Sequence, residues 1–186
     1  DKLYIAAGKV YTKTSNSDAD WVKLSPPSGY DLSTSIAANS TLVYAVFYNK
    51  NSADKALFSM QNNGSWNKES ASTAGINGSI EFVKNSIDGK IFLSTRINAQ
   101  EGKLYHLNSN NFDPVNISLI GSAFHVLYDG TNYWVANHNK LYKGSNISSI
   151  DKVLELDETD ELKGLSLSFQ PDEFIYFTYN NKKSRK

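Results

Sequence analysis

The side chains able to do chemistry in this sequence are few, and their spacing limits what they can do. Glycosidic hydrolysis needs two carboxyl groups about 5–10 Å apart. Glu81, Asp88, Glu101, Asp113 and Asp129 are available, but Asp88 and Asp129 each stand before a glycine, the signature of a tight turn. His106, His125 and His138 lie in or near three different strands, without the i, i+2 or i, i+4 spacing that builds a metal site. They read as packed or surface histidines. Glu155, Asp157, Glu158, Asp160 and Glu161 form the densest charge cluster. Calcium takes several oxygen ligands, but the cluster lacks the Gly and Asn pattern of a dedicated loop and reads as a solvated acidic segment. There is no cysteine, which excludes disulfides, zinc–thiolate sites and a cysteine nucleophile. Neither a Ser-His-Asp spacing nor a phosphate-cradling glycine loop is evident. The sequence therefore assigns no catalytic residue, metal or cofactor.

The binding candidates are Asn137, His138 and Asn139. They close the run Asn132-Tyr133-Trp134-Val135-Ala136-Asn137-His138-Asn139, which mixes aromatics with amides as sugar sites do. Trp134 belongs to a recurring core position, whereas the three residues after Ala136 fall in a turn, where they are expected to be free to face a ligand.

The elements that position these residues recur. Leu3-Tyr4-Ile5-Ala6, Val43-Tyr44-Ala45-Val46, Ile91-Phe92-Leu93-Ser94, Tyr133-Trp134-Val135-Ala136 and Ile175-Tyr176-Phe177-Thr178 share one pattern, apolar on both strand faces. Such strands are buried between two layers. Four are followed by a turn and a lysine: Gly8-Lys9, Asp54-Lys55, Gly102-Lys103 and Asn139-Lys140. Each lysine is expected at a strand start with its head in water. A shorter strand precedes each internal copy, at Ser35–Ala37, Ser79–Phe82, Ala123–Val126 and Leu165–Leu167. Each unit is thus a meander of strands a, b, c and d. Four strands over roughly 40–50 residues predict an all-β propeller of antiparallel four-stranded blades. The units run approximately over 1–25, 33–69, 79–119, 123–156 and 164–186, within one domain. The stretch Asp151 to Leu162, the best helix candidate, reads as strand d plus a loop.

Counting back from Trp21 gives Thr14, Asn16, Asp18 and Asp20 at every second place; counting back from Trp66 gives Ser59, Gln61, Asn63 and Ser65. This resembles a degenerate Asp-box, the Ser-x-Asp-x-Gly-x-Thr-Trp hairpin of sialidase-type (bacterial neuraminidase repeat) propellers, with the motif's Asp and Gly replaced. The resemblance implies that the polar side chains bond the turn backbone and that Trp21 and Trp66 pack at equivalent places beneath their hairpins. It implies a fold, because such boxes are structural. Sialidases of this type hold the substrate carboxylate with three arginines, whose forks match it. This chain has only Arg96 and Arg185, so no such triad forms within it and sialidase activity from it alone is not expected.

The formal net charge is zero, and the four cations among the last five residues leave the rest slightly acidic. No basic stripe for nucleic acid and no membrane-length apolar run appears. With no cysteine and abundant Asn and Ser, the expected setting is extracellular, periplasmic or at a bacterial cell surface, any signal segment having been removed. Strand b opens the chain and strand b nearly closes it, so either flanking sequence or edge pairing with another chain is expected. The expected function is a non-enzymatic binding or scaffold propeller contacting a protein or glycan through rim loops. The alternative is part of a carbohydrate-active hydrolase or lyase whose catalytic residues lie partly elsewhere.

Overall fold

Alternating strand residues must each find an apolar neighbour when both faces of a strand are hydrophobic, and the fold meets this by stacking sheets. The structure is a computed structural model. It describes residues 2–14, 20–61, 64–70, 75–121, 124–157, 160–168 and 174–181; in the last two ranges it describes backbone, with side-chain detail at Leu162. The first sheet joins β1 (Lys2–Ala6), β2 (Val10–Thr14) and β3 (Val22–Lys23). The second is β4 (Leu32–Ala38), β5 (Val43–Tyr48), β6 (Lys55–Met60) and β7 (Trp66–Lys68). The third is β8 (Ser79–Asn85), β9 (Ile91–Arg96), β10 (Gly102–Asn108) and β11 (Asn111–Leu119). The fourth is β12 (His125–Tyr128), β13 (Tyr133–Asn137), β14 (Lys140–Asn146) and β15 (Ser149–Glu155), and the fifth pairs β16 (Asp160–Ser168) with β17 (Phe174–Asn181). Every pairing is antiparallel between chain neighbours, so each sheet is a meander.

Each central strand sends alternate residues to opposite sides. In β5, Ala45 and Phe47 join Val10 of the first sheet, with Trp66 and Tyr30 half-buried against them. Tyr44 and Val46 join Val83, Ile91, Leu93 and Phe112 of the third sheet. In turn Phe92 and Leu104 meet Phe124, Tyr133 and Val135 of the fourth sheet, and Ala136 and Leu141 meet Leu162 of the fifth. Edge-on aromatic pairs fix the facing rings: Tyr44–Phe112 at 6.0 Å between centroids and Phe47–Trp66 at 4.9 Å. Leu3 and Ile5 stand on the outward face of the first sheet, where no described sheet covers them, and are 48% and 41% exposed.

Three expectations need correction. Trp134 faces the fifth sheet from the same strand place as Tyr44 and Phe92, but it is only half-buried. Its cover is a two-stranded sheet, and its indole donates to Asp129 Oδ2 at 2.7 Å while Lys143 lies over its ring. Trp21 and Trp66 hold the same register place, each one residue before the partner of Thr12 or of Ser59, but they are not buried alike. Trp66 pairs with Met60 and donates to the Ser25 carbonyl at 3.0 Å, whereas Trp21 is exposed just before the two-residue β3, where no described sheet covers the outer face. Asn16, Asp18 and Asn63 of the box-like turns lie outside the described residues. The recurring lysine is not always solvated at its head: Lys9 donates to the Asp31 carbonyl, and Lys55 pairs with the buried Glu81 of the next sheet.

This packing predicts unequal costs for equivalent truncations. Phe92→Ala, at a side chain with no exposure, is expected to cost about 3–5 kcal/mol, and the half-buried Trp134→Ala clearly less. Urea denaturation of the two variants checks the order.

Candidate functional site

In a meander, the a–b and c–d turns lie at one end of the sheets, and the b–c turns and the connections between sheets lie at the other. The second end carries the candidate site. Between the second and third sheets is a cavity of about 450 Å³, lined by Ala53, Asp54 and Lys55 of one sheet and Gly78, Ser79 and Glu81 of the next. Gly78 has φ +92°, and a Cβ there would fall 2.6 Å from the Arg96 carbonyl, so this connection must be glycine.

Glu81 is where it is because β8 carries a bulge. Ile80 pairs with Thr95 and Phe82 with Ser94, leaving Glu81 as the extra residue. β4 has the same irregularity between Ser33 and Ser35, and β16 between Leu162 and Gly164. Bulges re-aim side chains and gather beside functional sites. Here the bulged residue is a carboxylate that is 5% exposed. An isolated buried charge is strongly unfavourable, and two cations answer it: Lys55 Nζ on Oε2, and Arg96 Nε at 3.5 Å from Oε1. At the cavity's flank Tyr30 donates its hydroxyl to Asp54 Oδ2 at 2.8 Å, and Lys68 Nζ donates to the Tyr30 oxygen at 3.3 Å. The sequence placed Glu81 and Arg96 among the available ionisable groups without pairing them. The readable signal was a glutamate held between the apolar Ile80 and Phe82 of β8, since carboxylates are almost never buried unless paired.

The b–c turn of the fourth sheet shares this rim, but it is engaged differently from the expectation. Asn137 is buried; its Oδ1 accepts from the Ile120 amide at 2.7 Å and its Nδ2 donates to the Ile120 carbonyl at 3.3 Å. Asn139 is buried too, donating to the Leu156 carbonyl at 2.8 Å. Both amides fasten the turn to the connections flanking the sheet. His138 remains half-exposed, with φ +53° and Nδ1 3.2 Å from Asn139 Oδ1. Of the other histidines, His106 is buried with Nε2 3.3 Å from Ser148 Oγ, bridging the third and fourth sheets at the opposite rim. No group of three or more metal-ligating side chains occurs among the described residues. Asp88 and Asp129 serve their turns, as expected of Asp–Gly. Asp129 Oδ1 accepts two backbone amides, and Asp88 accepts from Ser86 and from the Tyr133 hydroxyl. Burial raises the Asp88 carboxyl, yet the bonds from Ser86 and Tyr133 outweigh it and hold the group below its usual value.

No protein family and no curated protein matches the sequence. Solved structures do. The extracellular domain of BT4673 from B. thetaiotaomicron superposes with a TM-score of 0.58 at 14% identity, over 95% of this chain and 24% of that one. A protein described as a gluconolactonase gives 0.55 at 12% identity, over 86% of this chain and 61% of that one. A protein of unknown function from Bacteroides caccae gives 0.54 at 11%, over the whole of this chain and 70% of that one. The fold is that of β-propeller blades. The chain spans about a quarter of the length of the BT4673 domain, and identities this low speak for the propeller fold alone.

Burial pushes the His106 imidazole below its ordinary value, and Lys90 acts in the same direction; Asp113 and a bond to the Leu107 backbone pull the other way and are outweighed. A depressed folded value means the unfolded chain binds the proton more readily. Stability from the neutral ring is therefore complete above an unfolded value of about 6.5 and is lost as pH falls through the folded value. Unfolding free energy in urea is expected to drop between pH 7.5 and 5.5, and His106→Gln to flatten that slope.

Proposed function

We propose that these propeller blades form a non-enzymatic binding or scaffold surface of an exported bacterial protein. The rim of b–c turns and sheet connections contacts a glycan or a protein. The observation that carries this reading is the cavity at Glu81. Its polar side chains are already held by one another, at a bulge, between two rigid sheets, which is the preorganisation that binding favours. The likeness to an extracellular domain of BT4673 supports the exported setting. The uncovered outward face of the first sheet, with Leu3 and Ile5 exposed, supports a further sheet packing there, from a longer protein or from another chain.

Two assays on one preparation test the reading. An array of oligosaccharides reports binding, with hydrogen exchange locating it, and a panel of p-nitrophenyl glycosides reports turnover. Saturable binding that protects the amides of 49–54 and 97–101, with no release of p-nitrophenol, is the expected result. Release of p-nitrophenol overturns it in favour of the hydrolase reading.

A further inference from the structure

Tyr4 holds the strand place of Tyr44 and Phe92 but lacks the ring that caps each of them. Tyr44 meets Phe112 of the next sheet at 6.0 Å between centroids, and Phe92 meets Tyr133 at 6.4 Å. Tyr4 is half-buried; among the described residues no aromatic ring packs on it and no group bonds its hydroxyl. Beside it, between the first and second sheets, is a cavity of about 610 Å³, within the ~300–1,000 Å³ usual for small-ligand pockets. These sheets are bridged at their b–c end, where the Ser33 amide donates to the Gly8 carbonyl at 3.1 Å. The cavity lies at the other end, under the a–b turn of the second sheet and where β2 and β6 finish. Between the second and third sheets that end is tied by Asn85, which bonds both backbone groups of Ala38. In β4 the place of Asn85 is taken by Ala38, which offers the first sheet no such amide.

The groups around Tyr4 are mostly uncharged donors and acceptors. Thr14, Ser40 and Gln61 line the cavity, and among the described residues none of them has a side-chain hydrogen bond. Asn39 is held by its oxygen. Oδ1 accepts from the Thr41 amide at 2.9 Å, the Thr41 hydroxyl at 3.0 Å and the Leu42 amide at 2.8 Å, which leaves Nδ2 as a fixed, unused donor. Asn39 also lines a neighbouring cavity of about 230 Å³ between the second and third sheets. Lys2, which is exposed, is the one charged residue in the larger lining. A sugar ring has an apolar C–H face and a hydroxyl edge. A tyrosine ring covers the first, with few rotamers to freeze, and amides and hydroxyls meet the second. A purely apolar ligand would leave these donors without partners, and an anion would find a single cation.

We propose that this cavity binds an uncharged oligosaccharide, one sugar ring stacking on Tyr4 and the chain continuing past the Asn39 amide toward the smaller cavity. The site lies at the rim opposite Glu81, so it goes beyond the reading above and is independent of that cavity.

The test is calorimetric titration of the full chain with cellohexaose, maltohexaose and mannohexaose, with hexagalacturonate as the acidic probe. At least one neutral hexasaccharide is expected to bind, with the same affinity at low and high salt, and its disaccharide at least ten-fold more weakly. Hydrogen exchange should slow at 2–6 and 39–42. Tyr4→Ala is expected to weaken binding at least ten-fold, whereas Tyr4→Phe keeps the ring and binds within about three-fold of wild type. Asn39→Asp keeps the oxygen that holds the turn and removes the free donor, and should weaken binding as well. Lys103→Gln, on an exposed side chain of β10, leaves it unchanged. Unchanged circular dichroism and melting temperature certify each variant as folded. Failure of every neutral hexasaccharide to bind, or wild-type affinity in folded Tyr4→Ala, overturns the proposal. A preference for hexagalacturonate overturns the uncharged assignment, and equal affinity for the disaccharide overturns the path past Asn39. Protection confined to 49–54 and 97–101 leaves the reading at the b–c rim standing while this inference fails.

Discussion

Every four-stranded blade here has to bury both of its faces, and that requirement organises the molecule. A sheet with one apolar face can float on a core; a sheet with two must be stacked. β9 carries the demand most plainly, sending Ile91 and Leu93 to one neighbour and Phe92 to the other. Burying a large apolar side chain contributes roughly 1.5–3 kcal/mol, so each interface gathers its stability from several such residues rather than from any polar contact.

The polar contacts between sheets set alignment instead. Asn85 grips both backbone groups of Ala38 at 2.7 Å, as Asn137 grips Ile120. Val83 donates to Ser35 Oγ at 2.9 Å, Lys84 reaches the Phe124 carbonyl at 2.6 Å, and Tyr133 reaches Asp88. Net gains of about 1 kcal/mol per bond are modest, but each bond has one geometry, and an unpaired partner in the same place would be unfavourable. With stacking and register fixed in this way, the turns at the rims are free to carry chemistry. The Glu81 bulge is such a case: it interrupts the ladder near the start of β8, where the cavity begins, and leaves the apolar interface below it intact.

The fold was legible because its signal is periodic. Tyr44 and Phe92 recur at one strand place with turns at fixed offsets, and the antiparallel meander follows from the short connections. What the sequence concealed depends on neighbours far along the chain. Trp134 has the core pattern, yet its burial depends on how much sheet lies across from it. Asn137 and Asn139 look like turn residues facing water because their partners, Ile120 and Leu156, are seventeen places away. The Lys55–Glu81 pair spans two blades, and the bulge that makes it leaves no mark on the alternation of Ser79-Ile80-Glu81-Phe82. Spacing locates strands, whereas the site arises from how one strand departs from ideal pairing.

Sheets covered on both sides hold this fold together, and amide hydrogen exchange in the folded chain measures that most directly. Strands β5, β9 and β13, each sandwiched between neighbours, should exchange slowest and at a common rate. The amides of β1 should exchange much faster, since one face of its sheet lies open at Leu3 and Ile5. Protection of β1 equal to that of β9, or a slow-exchanging core confined to one sheet, would contradict the claim that stacking between sheets holds the fold together.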